Sequence, residues 1–226
     1  MKESQSSEVK AKSTQFYVDI NDNKSKDIVI ISHNLSNNIY SEFFALLRDR
    51  LKDNKINNAA FNHAFIVSNT IPSADHKTEI TALINFIDKI KVETKMERFH
   101  LFGRSFGGVL SAAVAAMSPD VSSLSIVSLP YKFGYPLNLS GSENYIQEFQ
   151  QLLHKIVIPI CVIQGTNDDL GSLQDINHLL SGLHNASSFE LKGFSHGLES
   201  PGHNIIDNYN QVISILILVI RKLLIN

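Results

Sequence analysis

The chain has 226 residues, a length typical of one domain with a sizeable buried core. Hydrophobic residues make up 43% of it and charged residues 19%, which indicates a soluble globular protein and excludes a disordered chain. The net charge of −2 provides no basic surface of the kind that binds nucleic acid, and one cysteine excludes an internal disulfide.

Neither end of the chain shows the pattern of a targeting or membrane segment. Residues 1–14 are rich in Ser, Lys and Glu and lack the apolar region of a signal peptide. We expect a flexible tail there and a single domain over residues 15–226. The apolar run Val212–Ile220 is too short to span a bilayer and predicts a buried terminal helix. We therefore expect a cytoplasmic protein without a membrane span.

Strands and helices are predicted to alternate along the chain. The segment Asp27–Ser32 is mostly apolar, as expected for a strand in a sheet that is covered on both faces. The predicted strands are 16–20, 27–32, 64–67, 99–102, 124–129, 157–163 and 187–191, and the predicted helices are about 39–52, 76–92, 106–116, 140–155, 173–183 and 204–224. This alternation predicts an α/β fold with a parallel-dominated twisted sheet and helices on both faces.

The sequence GRSFGG at 103–108 lies between a predicted strand and a predicted helix of small residues. In a G-x-S-x-G turn of this kind, a strained backbone lifts the Ser105 hydroxyl above the end of the sheet. Gly103 and Gly107 lack a Cβ atom, which lets strand and helix come close. The Phe106 N–H at the helix start suits a developing oxyanion, because the helix dipole supports it. This context favours a nucleophile elbow over a glycine-flanked serine at an ordinary turn.

A nucleophilic serine needs a base, and the base needs an orienting acid. Asp168 follows Ser105 in the chain, just past a buried strand, and His196 follows the last strand. Both strand ends lie at the edge of the sheet where ligands bind in open α/β folds. The order serine, acid, histidine is the order of a hydrolase triad on such a sheet.

Two neighbouring residues compete for these roles. Asp169 is the alternative acid, although the turn Gly165-x-x-Asp168 favours the first aspartate, and either could instead cap a helix. His203 is the alternative base, but it lies near a helix start and is expected to face solvent.

The second oxyanion donor is expected in the loop after the Asp27–Ser32 strand. We predict that the Leu35 N–H supplies it, and since only the backbone donates, the identity of the side chain matters little. His33 is interpreted as a residue that braces this loop rather than as a base.

Candidate substrate contacts are fewer and more general. Arg104 suits binding of a substrate carboxylate, with a structural or solvent-facing arginine as the alternative. Aromatic residues in the loop after the fifth strand suit the wall of an acyl pocket or a minor part of the core, and they are Tyr131, Phe133 and Tyr135. The nine histidines form no H-E-x-x-H motif and have no cysteine partners, and no G-x-x-x-x-G-K-[ST] loop is present. We therefore expect neither a metal nor another cofactor.

Four motifs together resemble the α/β-hydrolase superfamily. They are Ser32-His33, GRSFGG at 103–108, GTNDDLG at 165–171 and GFSH at 193–196. The chain is most similar to a small, nearly lidless group that includes dienelactone-hydrolase-like proteins and predicted hydrolases with GRSMGG elbows. The resemblance covers about residues 28–200 and implies the α/β-hydrolase fold with a minimal cap. Asn34 departs from the glycine that is usual after the first-loop histidine, although asparagine tolerates a left-handed backbone better than most residues.

These patterns predict a serine hydrolase that acts through an acyl-enzyme. About 27 residues separate Leu129 from Val157, which leaves room for one helix and no large cap. The expected substrate is therefore a small or exposed ester or thioester. The alternative is a non-catalytic α/β-hydrolase-like interaction or scaffold protein.

Overall fold

A computed structural model describes residues 16–21, 24–133 and 145–225 of the chain. Seven strands form one sheet in the order β1-β3-β2-β4-β5-β6-β7. The strands are β1 Phe16–Asp19, β2 Asp27–Ser32, β3 Asn58–Phe61, β4 Arg98–Arg104, β5 Val121–Val127, β6 Ile160–Gly165 and β7 Ala186–Leu191. The helices are α1 Glu42–Asp53, α2 Ala64–Val67, α3 Lys77–Thr94, α4 Phe106–Ala115, α5 Tyr145–Leu153, α6 Leu173–Leu179 and α7 Ile205–Ile225, and a 3₁₀ turn spans Tyr131–Phe133.

The sheet is parallel except at one edge. β1 pairs with β3 in the antiparallel direction, and every other neighbouring pair is parallel. The chain passes from β2 to β3 on one side and then to β4 on the other side of β2. The carboxyl ends of β2 and β4 therefore flank the switch point at which open α/β sheets bind ligands.

Both faces of the sheet are covered by helices, which explains the apolar character of β2. Its side chains alternate between two buried clusters, with Ile28 and Ile30 in one and Val29 and Ile31 in the other. The first cluster is closed by side chains of α3, α4, α5 and α6, and the second by side chains of α1 and α7. The predicted parallel-dominated sheet with helices on both faces is confirmed.

One predicted strand is wrong. Residues 64–67 were expected to be extended because they are apolar and partly β-branched, but they form the short helix α2. The strand is instead Asn58–Phe61, which is buried throughout and pairs with β1 on one side and β2 on the other. In α2 only Phe65 is buried, and Val67 is 49% exposed. The pairing of β3 with a strand on each side makes it the strand, and this pairing outweighs the strand propensity of the apolar run at 64–67.

Other predicted elements are present with shifted bounds. β6 begins at Ile160 rather than at Val157, which is 88% exposed. The predicted tail 1–14 and the first residues of the predicted helix 140–155 lie outside the described residues. None of the helices in the described part of the chain is long and apolar enough to cross a membrane.

Candidate active site

The turn between β4 and α4 has the strained backbone expected of a nucleophile elbow. Ser105 has φ 53° and ψ −121°, a conformation that a non-glycine residue adopts only under constraint. Its N–H donates to the Val127 carbonyl of β5 at 2.9 Å, which ties the turn to the sheet. A Cβ on Gly107 would collide with the carbonyls of Ser32 and His33 at the end of β2. The glycine therefore lets α4 pack directly against the end of that strand.

Three predicted residues from separate loops meet at this turn. The Ser105 Oγ lies 2.8 Å from His196 Nε2. The other ring nitrogen of His196, Nδ1, lies 3.0 Å and 2.9 Å from the two carboxylate oxygens of Asp168. The Asp168 side chain is fully buried, while the His196 side chain is 21% exposed. The arrangement connects a solvent-accessible imidazole to a serine on one side and to a buried carboxylate on the other.

The alternative acid and base do not take part in this contact. Asp169 is exposed, whereas Asp168 is buried and accepts a hydrogen bond from the Leu170 N–H at 3.0 Å. His203 is exposed, as expected from its place before the terminal helix.

Gln164, at the end of β6, is a site residue that the sequence analysis missed. It is fully buried, and its Nε2 donates to Asp168 Oδ2 at 2.8 Å. The same amide group donates to the carbonyl of Gly171. Its Oε1 accepts a hydrogen bond from the Leu129 N–H at 2.8 Å. One side chain therefore connects the aspartate and its loop to the segment that follows β5. Nothing in the motif GTNDDLG marks the glutamine that precedes it, because its role depends on contacts across the sheet.

The loop after β2 lies against the elbow and is held by two buried histidines. His33 Nδ1 lies 2.8 Å from the Asn34 carbonyl, and His33 Nε2 accepts from the His63 N–H at 3.0 Å. Nδ1 therefore carries the proton in this pairing. Burial lowers the pKa of His33 to about 4, partly opposed by the bond to Asn34, so the ring is neutral at neutral pH. His63 Nε2 lies 3.2 Å from the Ser32 Oγ, and burial lowers its pKa well below the ordinary value, reinforced by the neighbouring His33.

The backbone of this loop does not need the left-handed conformation that was considered for Asn34. Among the described residues, eight non-glycine residues have positive φ, and Asn34 is not one of them. The replacement of the usual glycine therefore introduces no left-handed backbone strain. Leu35, in this loop, is 38% exposed, and Phe106 begins α4 with its side chain fully buried.

Comparison with known protein families gives a match to the alpha/beta hydrolase domain over residues 25–215. The chain belongs to the alpha/beta hydrolase family. The superfamily resemblance inferred from the four motifs is thereby confirmed. A search among curated proteins gave no match to this sequence.

This α/β hydrolase is similar in fold to several solved structures. Dienelactone hydrolase from Anabaena variabilis is 16% identical, with 89% of this chain and 88% of that chain covered and a TM-score of 0.70. An α/β serine hydrolase without a lid from Xanthomonas campestris is 16% identical, with coverage of 92% and 88% and a TM-score of 0.68. Est1E from Butyrivibrio proteoclasticus, solved with ferulic acid bound, is 15% identical, with coverage of 89% and 93% and a TM-score of 0.67.

The residues suggested as substrate contacts lie in different surroundings. Arg104 is buried, with its guanidinium over the rings of Phe43 and Tyr209, so its placement does not support the suggested pocket role. Tyr131 is half-buried against the core in the 3₁₀ turn, which also contains the backbone of Phe133. Tyr135 lies outside the described residues. Among the described residues of this α/β hydrolase, no three His, Cys, Asp or Glu side chains are grouped to hold a metal ion.

Proposed function

We propose that this α/β hydrolase is a serine hydrolase that cleaves small or exposed esters or thioesters through an acyl-enzyme. The observation that carries the proposal is the unbroken series of contacts from Ser105 Oγ through His196 to Asp168. A buried carboxylate on one ring nitrogen holds the other nitrogen toward the serine hydroxyl, which is the arrangement of an acyl-transfer triad.

The chemistry that these residues support has two halves. Ser105 Oγ attacks the carbonyl carbon while His196 Nε2 takes the hydroxyl proton, and Asp168 stabilises the imidazolium that forms. When the tetrahedral intermediate collapses, the bond to the leaving group breaks and His196 returns the proton to that group. Water, deprotonated by the same nitrogen, then attacks the acyl-enzyme and releases the acid and the free serine.

The oxyanion of each tetrahedral intermediate is assigned to backbone donors. In this proposal the N–H of Phe106, at the start of α4, is one donor, and the N–H of Leu35, in the loop after β2, is the other. The carbonyls of Ser32 and His33 would collide with a Cβ on Gly107, so the loop lies beside the helix start. His33 and His63 support this position of the loop from within the core.

The preference for a small or exposed substrate follows from the place of α5. This helix is the one described α-helix between β5 and β6. Its side chains Phe149, Leu152 and Leu153 belong to the same buried cluster as α4. Because α5 packs in the core, we propose that it leaves the catalytic serine uncovered and that the acyl site is open. The ferulic acid bound to Est1E is a small carboxylic acid, the class of product that such a site releases. A cytoplasmic location remains a prediction from the sequence.

Labelling with a fluorophosphonate tests the proposal, because the probe reacts with an activated serine. We expect intact-mass measurement to show one adduct on the wild type and none on Ser105→Ala. Ser111→Ala is the matched control, since Ser111 is another buried serine on the helix that follows the elbow and should leave labelling unchanged. An unlabelled wild type would favour the alternative, a non-catalytic interaction protein. Equal labelling of Ser105→Ala would show that another residue is the nucleophile.

A further inference from the structure

Arg104 is a buried cation that immediately precedes the proposed nucleophile in the chain. It ends β4, and the whole residue is 4% exposed. Its Nη2 donates to the Gly197 carbonyl at 3.2 Å, and Gly197 follows His196 in the chain. Its guanidinium carbon lies 4.9 Å from the ring centre of Phe43 on α1 and 5.9 Å from that of Tyr209 on α7.

The buried charge has no carboxylate in direct contact among the described residues. Arg104 takes part in none of their ion pairs, and its Nε has no hydrogen-bond partner there. Burying a cation without a paired anion is unfavourable. The Gly197 carbonyl, a hydrogen bond with the Tyr209 side chain and the aromatic faces recover only part of that free energy. A side chain of this kind is better explained by a role in the site than by packing alone.

We propose that Arg104 is a positioning residue, whose guanidinium holds the His196 loop through the Gly197 carbonyl. The inference rests on the proposed hydrolase function. It replaces the suggestion that Arg104 binds a substrate carboxylate, because the side chain is enclosed by α1, α7 and the histidine loop.

The electrostatic surroundings of Arg104 agree with this role. Burial lowers the pKa of its guanidinium, and Tyr209 and Asp168 oppose that effect. An arginine stays charged in a protein even so. These two residues are the titratable groups that act on Arg104, one from α7 and one from the acid loop. The charged guanidinium therefore remains a donor to the Gly197 carbonyl.

Two substitutions test this hydrogen bond. Arg104→Met removes the charge and every donor, and Arg104→Lys keeps the charge and one donor group but not the planar fork. With a short aryl ester as substrate, we expect Arg104→Met to lower kcat/KM about tenfold or more. The loss should fall on kcat rather than on KM, because in this proposal Arg104 positions the base and contacts no substrate. Arg104→Lys should lose less of kcat than Arg104→Met.

The matched control is Arg48→Met. Arg48 is also a buried arginine, 7% exposed, with its guanidinium over the rings of Tyr17 and Tyr40. It makes no hydrogen bond or ion pair with Ser105, His196 or Asp168, so we expect this variant to share any loss of thermal stability but to keep the kcat of the wild type. An equal loss of kcat in Arg48→Met would overturn the proposal, and so would an unchanged kcat in Arg104→Met. A rise in the KM of Arg104→Met confined to carboxylate-bearing esters would show instead that Arg104 binds a substrate carboxylate.

A measurement without turnover keeps this inference separate from the proposed function. In a Ser105→Ala background, NMR at one fixed pH follows the ring signals of His196, assigned by their loss in His196→Gln. The proposal requires these signals to shift or broaden when Arg104→Met is added and to stay unchanged when Arg48→Met is added, even if the wild type hydrolyses nothing. Unchanged signals in Arg104→Met would contradict it. Failure of the hydrolase proposal would appear instead as an unlabelled wild type.

Discussion

Gln164 Nε2 donates to the Asp168 carboxylate at 2.8 Å, and both residues are buried. The other oxygen of the carboxylate accepts from the Leu170 N–H at 3.0 Å. The carboxylate that orients His196 is thus itself oriented by a side chain from the end of β6 and by the backbone of its own loop. Because the glutamine also binds both backbone groups of Leu129, the acid is connected to the segment that follows β5.

Gln164→Glu should disable this arrangement without changing the volume of the side chain. The substitution replaces the donor with a second carboxylate beside Asp168, and two adjacent carboxylates cannot both ionise freely. We expect kcat/KM at neutral pH to fall about 100-fold and its acid limb to move to higher pH. Gln174→Glu, at an exposed position of α6, adds the same charge and should leave both unchanged. Wild-type activity in Gln164→Glu would show that the contact is not needed.

Asp168→Asn should lose several orders of magnitude in turnover, because an amide in this position no longer holds the imidazole in the productive tautomer. Asp169→Asn removes the same charge one residue later, at an exposed position, and should lose far less. Steady-state kinetics on a chromogenic ester compare the two variants directly. The reverse order of effects would assign the acid to Asp169.

The buried histidines under the first loop predict that stability falls in mild acid. Burial lowers the pKa of His33 to about 4, against an ordinary value of about 6.5 in an unfolded chain. Between these values the unfolded state binds the proton that the folded state excludes, so the free energy of unfolding decreases as pH falls. For His33 alone the full loss is about 3 kcal/mol, reached near pH 4. His63 acts in the same direction.

Urea unfolding at a series of pH values between roughly 7.5 and 4 measures this dependence. His33→Asn keeps hydrogen-bonding groups but does not titrate, so its stability should depend less steeply on pH. His154→Gln changes an exposed histidine and should retain the slope of the wild type. An identical slope in His33→Asn would mean that His33 does not make this contribution.

The proposed open acyl site predicts a limited preference for chain length. Each buried methylene contributes about 0.8 kcal/mol, and an exposed one contributes almost nothing. We therefore expect kcat/KM on aryl esters to peak at roughly two to four acyl carbons and not to rise beyond about six. A series of chromogenic esters below their micellar concentrations measures this. A steady increase through eight or more carbons would indicate a buried acyl tunnel instead.

The residues proposed for catalysis are visible in the sequence because each belongs to a local pattern. The glycines around Ser105 reflect a turn that admits no Cβ, and Asp168 and His196 each follow an apolar strand. In a parallel sheet those strand ends share one edge, so the order of the motifs is enough to bring the residues together. Local sequence also distinguishes most helices from strands by the period of their apolar residues.

The sequence could not identify features that depend on contacts between distant segments. Asn58–Phe61 is a strand because β1 and β2 pair with it, not because its own residues favour one. Gln164 looks ordinary beside the motif that follows it, and the GRSFGG motif does not show what its Arg104 contacts. The partners of both residues come from other strands, loops and helices. Hydrogen bonds and buried charges of this kind carry no sequence period. The sequence by itself therefore determined the family, the order of the motifs along the chain and the candidate triad. Only the packing of the folded chain decided which side chains support that triad.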